Sequence, residues 1–230
     1  MWYMLEVQGA MVVARELKRP LLELRQLALG FDGNGLEDER IRAEMVAVSE
    51  RAMRQVDDLT RFEKLANGGF EMGPVAVRAL CDDVIKEVAT LFGGKKCEME
   101  VKYSNRLRLV NANPELLKSV VSNLVLNAMK YDDQELKTRF LVCESGGKVE
   151  ISVRDFGPAL PSDVWREMKE EVYAPKEIAM RPGSSALGFY IVSRFSKYMK
   201  AEVGATRHND GVSFFVKLPV ARQKTIWGVK

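Results

Sequence analysis

Asn123, Asn127 and Lys130 fall at i, i+4 and i+7 of one segment, Asn123-Leu-Val-Leu-Asn127-Ala-Met-Lys130-Tyr131. On a helix that spacing sets all three on one face. An amide oxygen can ligate Mg²⁺, and an ammonium can neutralise phosphate. Tyr131, one step round, can stack on a base. Alone, the segment reads equally well as a partly polar surface stripe. Two later segments bear on it. Asp155 ends a strand-like run and precedes Phe156-Gly157-Pro158-Ala159, where a carboxylate can accept from an exocyclic amine such as adenine's. Gly183-Ser-Ser-Ala-Leu-Gly188 is a small-residue loop opening a helical segment, where backbone amides can meet phosphate. Each signal is weak singly, and the three in this order are specific.

Composition excludes several alternatives. The chain has 230 residues, 47% of them hydrophobic and 29% charged, which suits a folded core and not a disordered polymer. A net charge of +3 is too balanced for a nucleic-acid binder. Cys81, Cys97 and Cys143 form no CxxC pair and, with a single histidine, offer no zinc spacing. They suit a reducing compartment, so a cytoplasmic location is expected. No apolar run reaches the roughly 18 residues of a membrane span, and no signal peptide precedes the first charged helix. His208, the single histidine, excludes most histidine chemistry outside its own neighbourhood.

The elements that must position these residues follow from periodicity. The first 29 residues read as one helix, with Pro20 expected to kink it. Phe31-Asp-Gly-Asn-Gly35 is a turn cluster. A second helix is predicted from about Leu36 to Ala66, with Ile41, Met45, Val48, Ala52, Gln55, Leu59, Phe62 and Ala66 on a 4-3 seam. Two antiparallel helices cannot bury two such stripes against each other, so a four-helix bundle made by two chains is expected. The alternative is packing against the rest of the same chain. After Asn67-Gly68-Gly69 the pattern changes. Helices are predicted over 75–91, 114–131, 161–171 and 187–199. Strands are predicted over 98–103, 107–110, 140–143 and 149–154, with a hairpin over 201–218 turning at Asn209-Asp210-Gly211. The chain thus divides into a helical hairpin, residues 1–67, an α+β domain, residues 68–222, and a tail, 223–230.

In this order the motifs resemble those of the sensor histidine kinases, within the wider group of Bergerat-fold (GHKL) ATPases. Asn123 to Tyr131 resembles their N box. Asp155-Phe-Gly157-Pro-Ala159 resembles the G1 box, D-x-G-x-G, and Ser184 to Gly188 stands where the G2 box, G-x-G-x-G, belongs. Glu71 to Arg78 resembles the entry into the ATP-binding domain. Ala14-Arg-Glu-Leu-Lys-Arg-Pro-Leu21 resembles the H box, usually S-H-E-L-R-T-P-L. The resemblance implies a dimerisation and phosphotransfer hairpin followed by an ATP-binding α/β sandwich. It implies that Asn127 holds Mg²⁺, that Asn123 and Lys130 meet phosphate, and that Tyr131 lies beside adenine while Asp155 accepts its amine. Gly157 and Gly188 are the retained glycines of the two boxes, and residues 162–183 are implied to form the lid.

The pattern breaks at decisive places. The phosphoacceptor histidine falls on Arg15, whose guanidinium has no free lone pair to take a phosphoryl group at neutral pH. Glu16 keeps the position of the adjacent base, with no imidazole to act on. Arg19 replaces the Thr or Asn of the family's phosphatase activity. Ala159, Ser184 and Ala186 replace glycines. Each Cβ costs about 1 kcal/mol where φ must be positive, so if all three positions need glycine the loss is roughly a hundredfold in affinity. That weakens nucleotide binding without proving it absent. The expectation is a dimeric histidine-kinase-like pseudokinase that docks a response-regulator receiver domain or another kinase and retains ATP or ADP with Mg²⁺. It binds no nucleic acid and does not insert into a membrane. Two alternatives stand: an active kinase acting on a partner's histidine, and a nucleotide-free scaffold.

Overall fold

The structure is a computed structural model, and it describes residues 17–31, 36–91, 99–130, 138–157 and 186–221. Residues 17–29 are helical on both sides of Pro20, which is buried (α1). Helix α2, Leu36–Ala66, pairs with α1 through the Arg51–Glu23 ion pair at 3.8 Å. Helix α2 ends in a turn. Gly69 N donates to the Lys64 carbonyl at 3.0 Å, and Gly68 takes φ +69°, a left-handed conformation that glycine adopts without a Cβ penalty.

The rest is a sheet covered on one face by helices. Strand β1, Gly73–Val75, pairs antiparallel with β3, Val110–Ala112. The main sheet contains β2 (Met99–Tyr103), β4 (Thr138–Ser145), β5 (Lys148–Asp155), β6 (Glu202–His208) and β7 (Gly211–Pro219). Its order is β2-β4-β5-β7-β6, with β2 parallel to β4 and every other pair antiparallel. Residues of one face alternate into the core: Val149, Ile151 and Val153 on β5, and Val212, Phe214, Val216 and Leu218 on β7. Helices α3 (Val77–Leu91), α4 (Pro114–Met129) and α5 (Ala186–Tyr198) cover that face. Phe140, Phe195, Leu116 and Leu117 have no exposed surface, and each such side chain contributes about 2 kcal/mol.

Several boundaries differ from the sequence reading, each for a tertiary reason. The strand expected over 107–110 lies instead at Val110–Ala112, where β1 fixes its register. Helix α3 begins at Val77 because residues 73–75 are drawn into β1. The seam on α2 is only partly free for a partner chain: Leu59 and Phe62 pack on the sheet core of their own chain, and Val48 is buried. The exposed apolar residues of α2 lie one step round, at Val46, Met53 and Val56. The helix expected over 161–171 and the tail lie outside the described residues.

The start of α4 is set by a cap. Asn113 Oδ1 accepts from Leu116 N at 3.1 Å, its Nδ2 donates to the Glu71 carbonyl at 2.9 Å, and Pro114 takes the first helical position, where a missing N–H costs nothing. Asn113→Ala removes both bonds at a buried position. It should cost about 1–2 kcal/mol, read as a lowered urea midpoint with unchanged m.

Candidate functional site

Helix α4 is two-faced. Leu117, Val121, Leu124, Val125 and Ala128 are buried in the core. The other face presents Ser119, Asn123, Asn127 and Lys130 to a cleft of about 530 Å³ between α2 and the α4–α5 pair. Gly188, in the first turn of α5, lines the same cleft. A Cβ at Gly188 would lie 2.9 Å from Asn123 Oδ1, so the bare glycine is what lets that amide sit against α5. The structure therefore brings together Asn123, Asn127, Lys130 and Gly188.

Asp155 occupies a separate corner. It is fully buried at the end of β5, and its Oδ1 accepts from Gly157 N at 3.1 Å, closing a tight turn. It does not line the cleft that holds the α4 residues. Arg154 beside it faces outward, donating to Asp210 at 2.7 Å and lying over the Phe156 ring. Gly211, at the start of β7, backs directly onto Asp155: a Cβ there would stand 2.0 Å from the Asp155 carbonyl oxygen.

Arg15, Glu16, Tyr131, Ala159, Ser184 and residues 162–183 lie outside the described residues, as does the Ala186 side chain. Arg19 is exposed on α1. His208, on β6, makes a 2.8 Å contact between Nε2 and Ser213 Oγ. Burial, and then Arg154, lower its pKa from 6.5, although the Asp210 and Asp155 carboxylates oppose them. A depressed histidine pKa stabilises the fold above the unfolded value, and that stability is lost as pH falls through the folded one. NMR titration of the single imidazole should give a midpoint below 6.5. A midpoint above 6.5 would show that the carboxylates dominate.

The sequence reading missed the hairpin's share of the cleft. Helix α2 contributes Arg51, Arg54, Asp58 and Arg61. Asp58 Oδ1 accepts from Ser119 Oγ at 2.5 Å and from Arg61 Nη1 at 3.1 Å, and its Oδ2 accepts from Asn123 Nδ2 at 3.2 Å. The available signal was the charged stripe at 51, 54, 58 and 61, on one helical face beside an apolar seam. Among the described residues, no cluster of three or more His, Cys, Asp or Glu could cage a metal. No described helix is long and apolar enough to cross a membrane.

Residues 112–222 match the family described as Histidine kinase-, DNA gyrase B-, and HSP90-like ATPase. The chain is 27% identical over 177 residues to the adaptive-response sensory kinase SasA of Synechocystis sp., covering 74% of this chain and 45% of that protein. It therefore spans less than half the length of that curated relative. In fold it is similar to histidine kinase ThkA solved in complex with response regulator protein TrrA, with a TM-score of 0.65, 16% identity and coverage of 95% of this chain and 64% of that one. It is also similar to full-length ShkA in complex with AMPPNP, with a TM-score of 0.59, 22% identity and coverage of 95% and 47%. Residues 112–222 thus carry the domain described as histidine kinase-, DNA gyrase B- and HSP90-like ATPase, within a chain whose likenesses are to histidine kinases.

Proposed function

We propose that the chain is a two-component signalling module that binds ATP or ADP with Mg²⁺, does not phosphorylate itself on the usual residue, and acts by docking a partner. The observation that carries nucleotide binding is the convergence of Asn123, Asn127, Lys130 and Gly188 on one cleft. The ShkA neighbour was solved with AMPPNP, which supports the same reading. Magnesium fits the donor set. Mg²⁺ keeps several waters and takes its remaining ligands from phosphates, so it needs no protein cage, and the Asn127 amide oxygen is a suitable single protein ligand. Bound there, the ion would neutralise phosphate charge. Asn123 and Lys130 would orient the phosphates, and Asp155 would accept from the adenine amine.

Arg15 supports the absence of self-phosphorylation, because it offers no nucleophilic nitrogen where the family uses imidazole. The partner is a response-regulator receiver domain, by analogy with the ThkA–TrrA complex. The module is a homodimer joined through the hairpins. Leu21, Leu22 and Leu29 on α1 and Val46, Met53 and Val56 on α2 are all exposed in the single chain, a surface that association would cover. A second reading, a kinase that phosphorylates a histidine on a partner, is favoured by the complete N box.

Incubation with radiolabelled ATP and Mg²⁺ tests the proposal. The chain should retain no acid-labile phosphoryl group, and Arg15→His alone should restore little, because Ala159, Ser184 and Ala186 remain. Label on the wild-type chain overturns the pseudokinase reading, and label on an added partner favours the second one. In light scattering the chain should run as a dimer, and Met53→Asp should halve its mass by burying an unpaired carboxylate.

A further inference from the structure

We propose that Asp58 is an intramolecular competitor of the nucleotide: the hairpin helix docks a carboxylate onto the polar face of α4, and nucleotide binding expels it. This rests on the nucleotide-binding reading above and names the regulation of that site. Asp58 is 6% exposed, although it belongs to a long surface helix. Two of its three hydrogen bonds cross to α4, from Ser119 Oγ and Asn123 Nδ2, and the third comes from Arg61 on its own helix.

The donor count at Asn123 makes the contact exclusive. A side-chain amide has two N–H donors. One goes to Asp58 at 3.2 Å and the other to the Ser119 carbonyl at 3.0 Å. Its oxygen faces Gly188. While Asp58 is docked, Asn123 has no N–H left for a phosphate oxygen. A phosphate arriving at the same amide would also meet a carboxylate of like charge in a partly water-excluded cleft, where repulsion is weakly screened. Carboxylate and phosphate are both anionic oxygen acceptors, so one replaces the other at the same donors.

Phe62, one turn further along α2, packs on Tyr190 of α5 with ring centroids 5.6 Å apart, so the carboxylate arrives as part of a docked helix. Linkage then works both ways. Docking lowers apparent nucleotide affinity in proportion to the undocked fraction, and bound nucleotide in turn excludes docking. Nucleotide would thereby control how far the hairpin is free to present its partner-binding surface.

Calorimetric titration of the full chain with ATP and Mg²⁺ tests this, using wild type, Asp58→Ala, Asp58→Asn and Ser119→Ala. The expected result is about tenfold tighter binding for Asp58→Ala, within the usual range for coupled sites. The isosteric Asp58→Asn, which controls for loss of packing, and Ser119→Ala should shift the same way by less. Small-angle scattering should show wild type expanding on nucleotide addition and Asp58→Ala already expanded without it. Loss of a merely structural residue would not tighten binding. Equal or weaker binding by Asp58→Ala, with wild type still binding, overturns the competitor and leaves the nucleotide site standing. Weakening only in the presence of Mg²⁺ would make Asp58 a metal ligand instead, and also overturns it. If Asp58→Ala binds and wild type does not, the proposal is supported in its strongest form. If no variant binds, the nucleotide reading fails and the competitor fails with it.

Discussion

Gly211→Ala should destabilise the chain by about 3 kcal/mol or more, at the upper end of what single substitutions cost. Two independent effects add. Gly211 has φ +145°, a conformation L residues rarely adopt, which costs about 1–3 kcal/mol. The new Cβ would also stand 2.0 Å from the Asp155 carbonyl oxygen and 3.0 Å from Phe156 Cα, and backbone on both sides cannot swing away as a side chain can. The pairing of Asp155 with Val212 would have to open, and the Asp155 carboxylate would move with it. Gly73→Ala is the control: nothing lies within 4 Å of its Cβ position, so its effect should stay within about 0.5 kcal/mol. Urea unfolding of both variants measures the difference. Equal midpoints would mean that the Asn209–Gly211 turn is not held as tightly as the structure draws it.

Asn127→Ala and Asp155→Asn should both weaken nucleotide binding, but in different ways. Asn127 lies on the cleft face of α4, the side proposed for phosphate and Mg²⁺. Removing its amide should abolish most of the gain in ATP affinity that Mg²⁺ provides, while affinity for adenosine stays unchanged. Asp155 is fully buried away from that cleft and holds the Gly157 amide. Its replacement by an amide exchanges a charged acceptor for a group that also donates, a mismatch with an amine that costs on the order of tenfold or more. Adenosine and ATP should suffer equally, with the Mg²⁺ dependence intact. Titrations with ATP, with and without Mg²⁺, and with adenosine separate the two. If the variants behave alike, the assignment of one end to phosphate and the other to adenine is wrong.

Legibility in the sequence followed the range of the interactions. Helix α4 could be read because Pro114 marks its start and its apolar and polar faces repeat at 3.6 residues. That same period put Asn123, Asn127 and Lys130 on one face, and they share one cleft. Strands β5 and β7 could be read from alternation, and their neighbour β6 from the Asn209-Asp210-Gly211 turn. Strand β1 could not be read: Gly73-Pro74-Val75 has no periodicity, and only its pairing with Val110–Ala112 makes it a strand. The α2 seam was visible as a 4-3 repeat, but a repeat does not name the surface that covers it. Leu59 and Phe62 turn out to face their own chain's core. Asp58 illustrates the same gap. Its partners Ser119 and Asn123 lie on another helix, and in sequence one carboxylate of the Asp57-Asp58 pair on a charged helical face is indistinguishable from a solvated one.

The glycine losses weigh on the same site from outside the described residues. Ala159 and Ser184 add side chains where the family has none, and the competitor at Asp58 lowers affinity further. Both predict a site that is weak but present, filled at the millimolar nucleotide levels of a cell and empty at micromolar ones. In the proposed reading, Arg15 removes the acceptor while the polar residues of α4 remain. On that reading, binding and self-phosphorylation are therefore separate properties.

Calorimetric titration of the wild-type chain with ATP and Mg²⁺, followed by assay of the titrated protein for bound phosphoryl groups, tests that separation most directly. Saturable binding in the high-micromolar to millimolar range with no covalent phosphate is the result the account predicts. Absence of any binding at millimolar ATP, or a phosphoryl group retained on the chain, would contradict it.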